Sequence, residues 1–322
     1  MQTSGQGSKS RIWQTCLKLL VCFALLWFVF SRVDLAEVYQ LILKVKFEAF
    51  TLAFFIYLIA HVLFLFRWHK ILRALQVKVR FLTLLRLQLI GLFFNQFLPT
   101  SAGGDVIKAY YISQDTGKTG MSFLSVFLDR YIGLLAIIIF AAVAAVVSRL
   151  SINDVVIYHW VVLAFVAAVV FTILLASNFG RWVNRLLGVH LKFVQNIIVM
   201  INDSSKTIFR NYQVMLWTLL LSLGFMLLVV AINYIFIGYI GKSIELSDLF
   251  IFIALIALAA SLPISINGAG PRELAYVYFF STIGFTAEES LSLAVLNLAL
   301  LLLISLPGAL LYLLMAAKKK ST

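Results

Sequence analysis

The 322-residue sequence is 63% apolar and 12% charged, with 26 Lys+Arg against 13 Asp+Glu and a formal net charge of +13. Soluble domains average about 45–50% apolar and about 25% charged residues, so this chain lacks the polar surface to coat a water-facing globule; disorder, coiled coil, collagen and a disulfide scaffold are excluded with it. The basic excess fits a membrane topology whose cytoplasmic loops collect Lys and Arg, and nucleic acid is not expected as a partner.

Lys9, Arg11 and Lys18 lead into an apolar run that leaves through Phe28-Val29-Phe30-Ser31-Arg32. It has no small-x-small cleavage site, so residues 12–30 are expected as a retained first span rather than a signal peptide. Cys16 and Cys22 are expected to pack there, not to bridge. Further full spans are expected at 47–66, 123–147, 157–176, 214–240 and 291–315, each long enough for a helix, the only open-chain form that satisfies its backbone in lipid. Two more apolar segments, 81–112 and 249–285, are broken near the middle by Pro, Gly and polar residues. The expected fold is an all-α polytopic membrane protein: about six full spans plus two broken, re-entrant helical hairpins in an inverted repeat, one integral membrane domain over 1–322. A version in which each broken segment crosses twice keeps the same parity.

The basic stretches set the orientation. Arg67, Lys70, Arg73, Lys78, Arg80 and Arg86, then Arg181, Arg185, Lys192, Lys206 and Arg210, then Lys318, Lys319 and Lys320 are expected on the cytoplasmic side, with both termini, in the inner membrane. Between 181 and 201, Val183, Leu187, Val194, Ile197, Ile198 and Ile201 fall near one helical face, as in an interfacial helix on the inner leaflet; it would sense lipid or serve as a connecting elbow.

The two interruptions match. The first, 95–110, reads Asn95-Gln-Phe-Leu-Pro99-Thr-Ser101-Ala-Gly103-Gly104-Asp105-Val-Ile-Lys108-Ala-Tyr110; the second, 261–276, reads Ser261-Leu-Pro263-Ile-Ser265-Ile-Asn267-Gly268-Ala-Gly270-Pro271-Arg272-Glu273-Leu-Ala-Tyr276. Each runs Leu-Pro-x-Ser, glycines, charge, then Ala-Tyr. Proline ends the incoming helix and the glycines permit turns closed to other residues. The breaks sit in half-repeats of about 47–147 and 214–315 that enter from opposite faces, and such paired interruptions point to a transport site near the midplane.

Ions at the bilayer centre cost about 2.5–3.5 kcal/mol on insertion scales, so Asp105, Lys108, Arg272 and Glu273 stand out. Arg272, beside glycine N–H groups at a helix start, can hold a phosphate by forked hydrogen bonds, or it can pair with Glu273 or Asp105 to seal the hairpins. Asn95, Ser101, Ser265 and Asn267 bind head groups or cap the broken helices. Asp129 and Arg130 neutralise each other as an ion pair or approach the inner interface. Asn233 and Asn297 are expected to join helices. The scattered histidines and the lack of a P-loop or a dinucleotide fingerprint leave no metal, cofactor or catalytic set expected.

At 95–111, at Phe127-Leu128-Asp129-Arg130 and at 263–278 the sequence resembles the transmembrane region of lysylphosphatidylglycerol synthases, the flippase-like domain family, over nearly the whole chain. The resemblance implies movement of a phospholipid or polyprenyl-linked glycan between leaflets, with Arg272 and Lys108 holding phosphate and Asp105 and Glu273 setting the pairing or responding to protons. Because the sequence ends at Thr322, soon after the last span, aminoacyl transfer by a synthase domain is not carried over. Two other readings remain open: a non-transporting partner of a glycosyltransferase or lipid-modifying enzyme, and a membrane-embedded lipid transferase with Asp105 and Glu273 as acid and base.

Overall fold

The computed structural model describes residues 20, 23–98, 103–147, 155–177, 206, 208–209, 211–262, 265 and 267–320, and is all-helical over them. Among the described residues, helical residues 23–30 precede the helices α1 (Leu35–Lys44), α2 (Phe47–Ala74), α3 (Phe81–Phe97), α4 (Gly103–Thr116), α5 (Thr119–Val147), α6 (Val155–Ala176), α7 (Tyr212–Ile240), α8 (Leu246–Ser261), α9 (Pro271–Ser281) and α10 (Ala287–Lys320).

Four of these are long and apolar enough to cross a membrane: α2, α5, α7 and α10 up to Met315. Their large apolar side chains stand outward, as at Val146, Leu227, Leu310 and Leu313, which is the arrangement lipid allows and water does not. The chain is a polytopic integral membrane protein. The expected span at 157–176 falls within α6, whereas only residues 20 and 23–30 of the first expected span are described, and those are helical. The expected interfacial helix at 181–201 lies outside the described residues.

Local chemistry explains the ends. Asp34 caps α1, its side chain accepting from the Ala36 N–H at 2.8 Å, and α1 is amphipathic, burying Val38 and Leu41 while Leu35, Tyr39 and Leu43 face out. α3 stops two residues short of Pro99, as the restriction on residues before proline requires.

One expectation is corrected here. α2 does not end at Phe66 but runs to Ala74, because Leu65, Trp68, Ile71 and Leu72 continue a helical stripe that is fully buried. Arg67 is therefore no loop cation. It is 4% exposed inside the helix.

The described residues form two compact units that alternate along the chain. One comprises Met1–Leu58, Gln88–Asp105 and Val229–Thr322. In it α1 lies along α10, and α9 packs against both α8 and α10. Within this unit α3 approaches two glycines closely: a Cβ on Gly104 would run into the Gly91 carbonyl, and one on Gly308 into the Leu89 carbonyl. The other unit comprises Ile59–Leu87 and Val106–Leu228. Its core gathers Trp68, Ile71 and Leu72 of α2, Leu84 and Leu87 of α3, Ile112 of α4 and Leu128 and Ile132 of α5.

Candidate functional site

The first break closes on itself. Asn95, in the last turn of α3, turns its Oδ1 to accept from the Gly104 N–H at 2.9 Å, so a side chain of α3 caps α4. Gly103 opens α4, and Gly104 is bare because the α3 backbone lies where a Cβ would go. Asp105 follows in the first turn of α4, where a negative charge suits the helix dipole, and it is buried. Pro99 and Ser101 lie outside the described residues.

The second break is a turn of unusual backbone. Asn267 (φ 47°), Gly268 (φ 79°) and Gly270 (φ 92°) all adopt positive φ, so Asn267 serves first as one of the few non-glycine residues that tolerate that region. Gly268 lies against Ala260 of the last turn of α8, leaving no room for a Cβ. Pro271 then occupies the first position of α9, where a missing N–H costs nothing. Pro263 lies outside the described residues.

Arg272 and Glu273 complete the turn. The Glu273 carboxylate accepts from the Gly270 N–H at 2.7 Å through Oε2, the half of a capping box that a glycine N-cap permits. Its Oε1 accepts from Arg272 Nε at 3.0 Å and also from Nη2. Glu273 is buried, and the Arg272 side chain is 12% exposed. Of the two roles open to Arg272, pairing with Glu273 is present, but it ties the start of one helix rather than one hairpin to another. The Nη1 edge has no partner among the described residues, so the guanidinium is oriented and still has donors to offer.

Behind the turn, Tyr276 donates to Asn233 Oδ1 at 2.9 Å, and Asn297 Nδ2 donates to the same oxygen at 3.0 Å. This joins α7, α9 and α10, so the two asparagines serve as helix-to-helix glue, with Tyr276 as a third member. Tyr276→Phe is expected to destabilise the protein by about 0.6 kcal/mol, and Asn233→Leu by more because it strands the buried tyrosine hydroxyl. Denaturant unfolding in detergent micelles checks the ranking; equal costs would reject it.

The other unit holds a second buried cluster. Lys108 Nζ stands 4.8 Å from the Trp68 ring centroid and 5.8 Å from that of Phe64, cation–π contacts that suit a buried ammonium. Asp129 does not pair with Arg130, one of the two readings open to them. Instead its Oδ1 accepts from Arg67 Nε at 2.7 Å, with both side chains about 95% buried, and Arg130 is exposed. Arg67 Nη1 also donates to Ser222 Oγ at 3.0 Å, and the guanidinium lies 4.3 Å over Phe64. One arginine thus links α2, α5 and α7. Sequence reasoning missed it because Arg67 opens a basic stretch; the signal was the apolar spacing that continues on both sides of it.

Among the described residues no group of three or more His, Cys, Asp or Glu could hold a metal ion.

Comparison with known proteins places the chain. It is 24% identical over 177 residues to a UPF0104 membrane protein of Methanocaldococcus jannaschii, covering 53% of this chain and 52% of that one. A UPF0104 membrane protein of Pyrococcus horikoshii is 24% identical over 108 residues, covering 33% of this chain and 32% of that one. The chain thus spans about half the length of the first relative and about a third of the second. No solved structure matches it. The family model for the lysylphosphatidylglycerol synthase TM region matches residues 16–308, and the chain, with its two broken helix pairs, belongs to that family.

Proposed function

We propose that this protein translocates, or assists translocation of, a phospholipid or polyprenyl-linked glycan between the leaflets of the inner membrane. The observation that carries this reading is Arg272. It stands in an interrupted membrane segment at the start of α9, held on one edge by Glu273 and with no partner for Nη1 among the described residues. A guanidinium and a helix N-terminus together suit a phosphate, which both kinds of lipid carry. In this reading Asp105 and Lys108 are the corresponding charges of the first break, the two broken segments are related as an inverted repeat, and the basic loops and both termini face the cytoplasm.

The test is leaflet exchange of fluorescent phospholipids and of a polyprenyl-phosphate glycan in liposomes containing the purified protein. Arg272→Ala is expected to lower exchange at least tenfold while the protein stays folded, since Glu273 keeps its bond to Gly270. Full exchange by Arg272→Ala at normal yield would remove the arginine from the mechanism. No exchange of any lipid by folded wild-type protein would reject transport and favour a partner of a lipid-modifying enzyme.

A further inference from the structure

Among the described residues, one buried side-chain nitrogen or oxygen has no hydrogen-bond partner, and it is the hydroxyl of Ser265. The contrast with the other serines gives the cause. Each of the seven other buried serines, from Ser113 to Ser305, sits in a helix and donates to a backbone carbonyl three or four residues earlier. Ser265 lies beyond Leu262, the extended C-cap of α8, and before α9, so it is not in a helix and does not reach back to a carbonyl as they do. It is nevertheless 0% exposed, so water does not satisfy it either. Native structures rarely leave such a group without a purpose, and alanine would fill the site without the loss.

Its place in the chain says what the hydroxyl awaits. The turn that follows folds back: Gly268 presses against Ala260 of α8, and the Arg272 N–H donates to the Gly268 carbonyl at 2.9 Å. Ser265 is thus enclosed in the same break that presents Arg272. Glu273 balances the charge of Arg272 and accepts from the Gly270 N–H, so what the break offers an anion is the guanidinium N–H groups that Glu273 does not use and the partial positive charge at the N-terminus of α9. We propose that Ser265 is a binding residue of the second break, whose buried, unpartnered hydroxyl donates to an oxyanion, the phosphate of a lipid, when the turn at 267–270 opens around it. This rests on the second break being the phosphate site of the proposed function.

The experiment uses the full chain in detergent micelles and measures the apparent melting temperature of wild type, Ser265→Ala and Ser265→Cys. Each is measured alone, with inorganic phosphate, with phosphatidylglycerol and with uncharged diacylglycerol. Without added ligand, Ser265→Ala is expected to melt about 2 °C or more above wild type, since the orphaned hydroxyl is gone. With phosphatidylglycerol the wild type is expected to gain stability, and Ser265→Ala to need at least tenfold more lipid for the same gain. Ser265→Cys, which keeps the volume but donates weakly, should resemble alanine in binding. Diacylglycerol should shift none of them. A response to inorganic phosphate as large as that to the lipid would assign the site to free phosphate and overturn the lipid source. Ser265→Ala with wild-type stability and a wild-type lipid response would overturn the proposal. Translocation fails separately: wild type that binds phosphatidylglycerol through Ser265 but moves no lipid keeps the site and loses the transport reading.

Discussion

Asp129→Ala is expected to destabilise the protein by about 3–5 kcal/mol, the range for removing one partner of a buried ion pair. The size comes from what is left behind. Arg67 would remain 4% exposed between α2, α5 and α7 with one serine hydroxyl and one aromatic face, and neither neutralises a full charge. Replacing both members, as in Arg67→Met with Asp129→Leu, is expected to restore most of the loss, because two desolvated charges and their attraction leave together. Ser222→Ala should cost about 1 kcal/mol, since Arg67 keeps its carboxylate. Denaturant titration in micelles of wild type, Arg67→Met, Asp129→Leu and the double variant measures the coupling. A double variant as unstable as the two single losses combined would show that the pair is not the unit argued here.

The second large effect is steric. Gly104→Ala places a methyl group where the Gly91 carbonyl already is, and both positions are helical backbone that cannot turn aside as a side chain can. A loss of about 1–3 kcal/mol or more is expected, with the pairing of α3 and α4 disturbed and the Asn95 cap lost with it. Gly308→Ala should behave alike, against the Leu89 carbonyl. Gly224→Ala is the control. Its new methyl would meet only the end of the Leu63 side chain at 3.2 Å, which can shift, so the change in melting temperature should be small. If all three variants melt together, close backbone approach is not what these glycines provide.

The contrast between these two regions shows what the sequence makes legible. The helix breaks are written locally: proline, glycine and the asparagines act within a few residues of themselves, so the ends of α3 and α8 and the starts of α4 and α9 fall where composition puts them. The Arg67–Asp129 pair is not local, for its members lie 62 residues apart and meet only through packing. Pairing Asp129 with Arg130 erred for a geometric reason, because successive helix residues point about 100° apart and do not share a face. Arg272 and Glu273 escape that rule since Glu273 reaches back to the N-cap as well as to its neighbour. For Asn267 and Ser265 the sequence offers only polar side chains in a break. The positive φ of one and the missing partner of the other are properties of the folded turn.

The same separation bears on how the chain enters the bilayer during synthesis. α2 emerges well before α5, so Arg67 must be accepted into the membrane while its carboxylate is still unmade. An unpaired arginine at the helix centre costs about 2.5–3.5 kcal/mol on insertion, whereas each Leu, Ile, Phe or Val contributes about −0.3 to −0.6, and α2 carries roughly fifteen of them. That apolar run offsets the cost of Arg67 before its partner arrives. α5, arriving later with Asp129, then meets a helix already waiting with the complementary charge, and the nascent protein assembles this unit in the order in which its segments leave the ribosome.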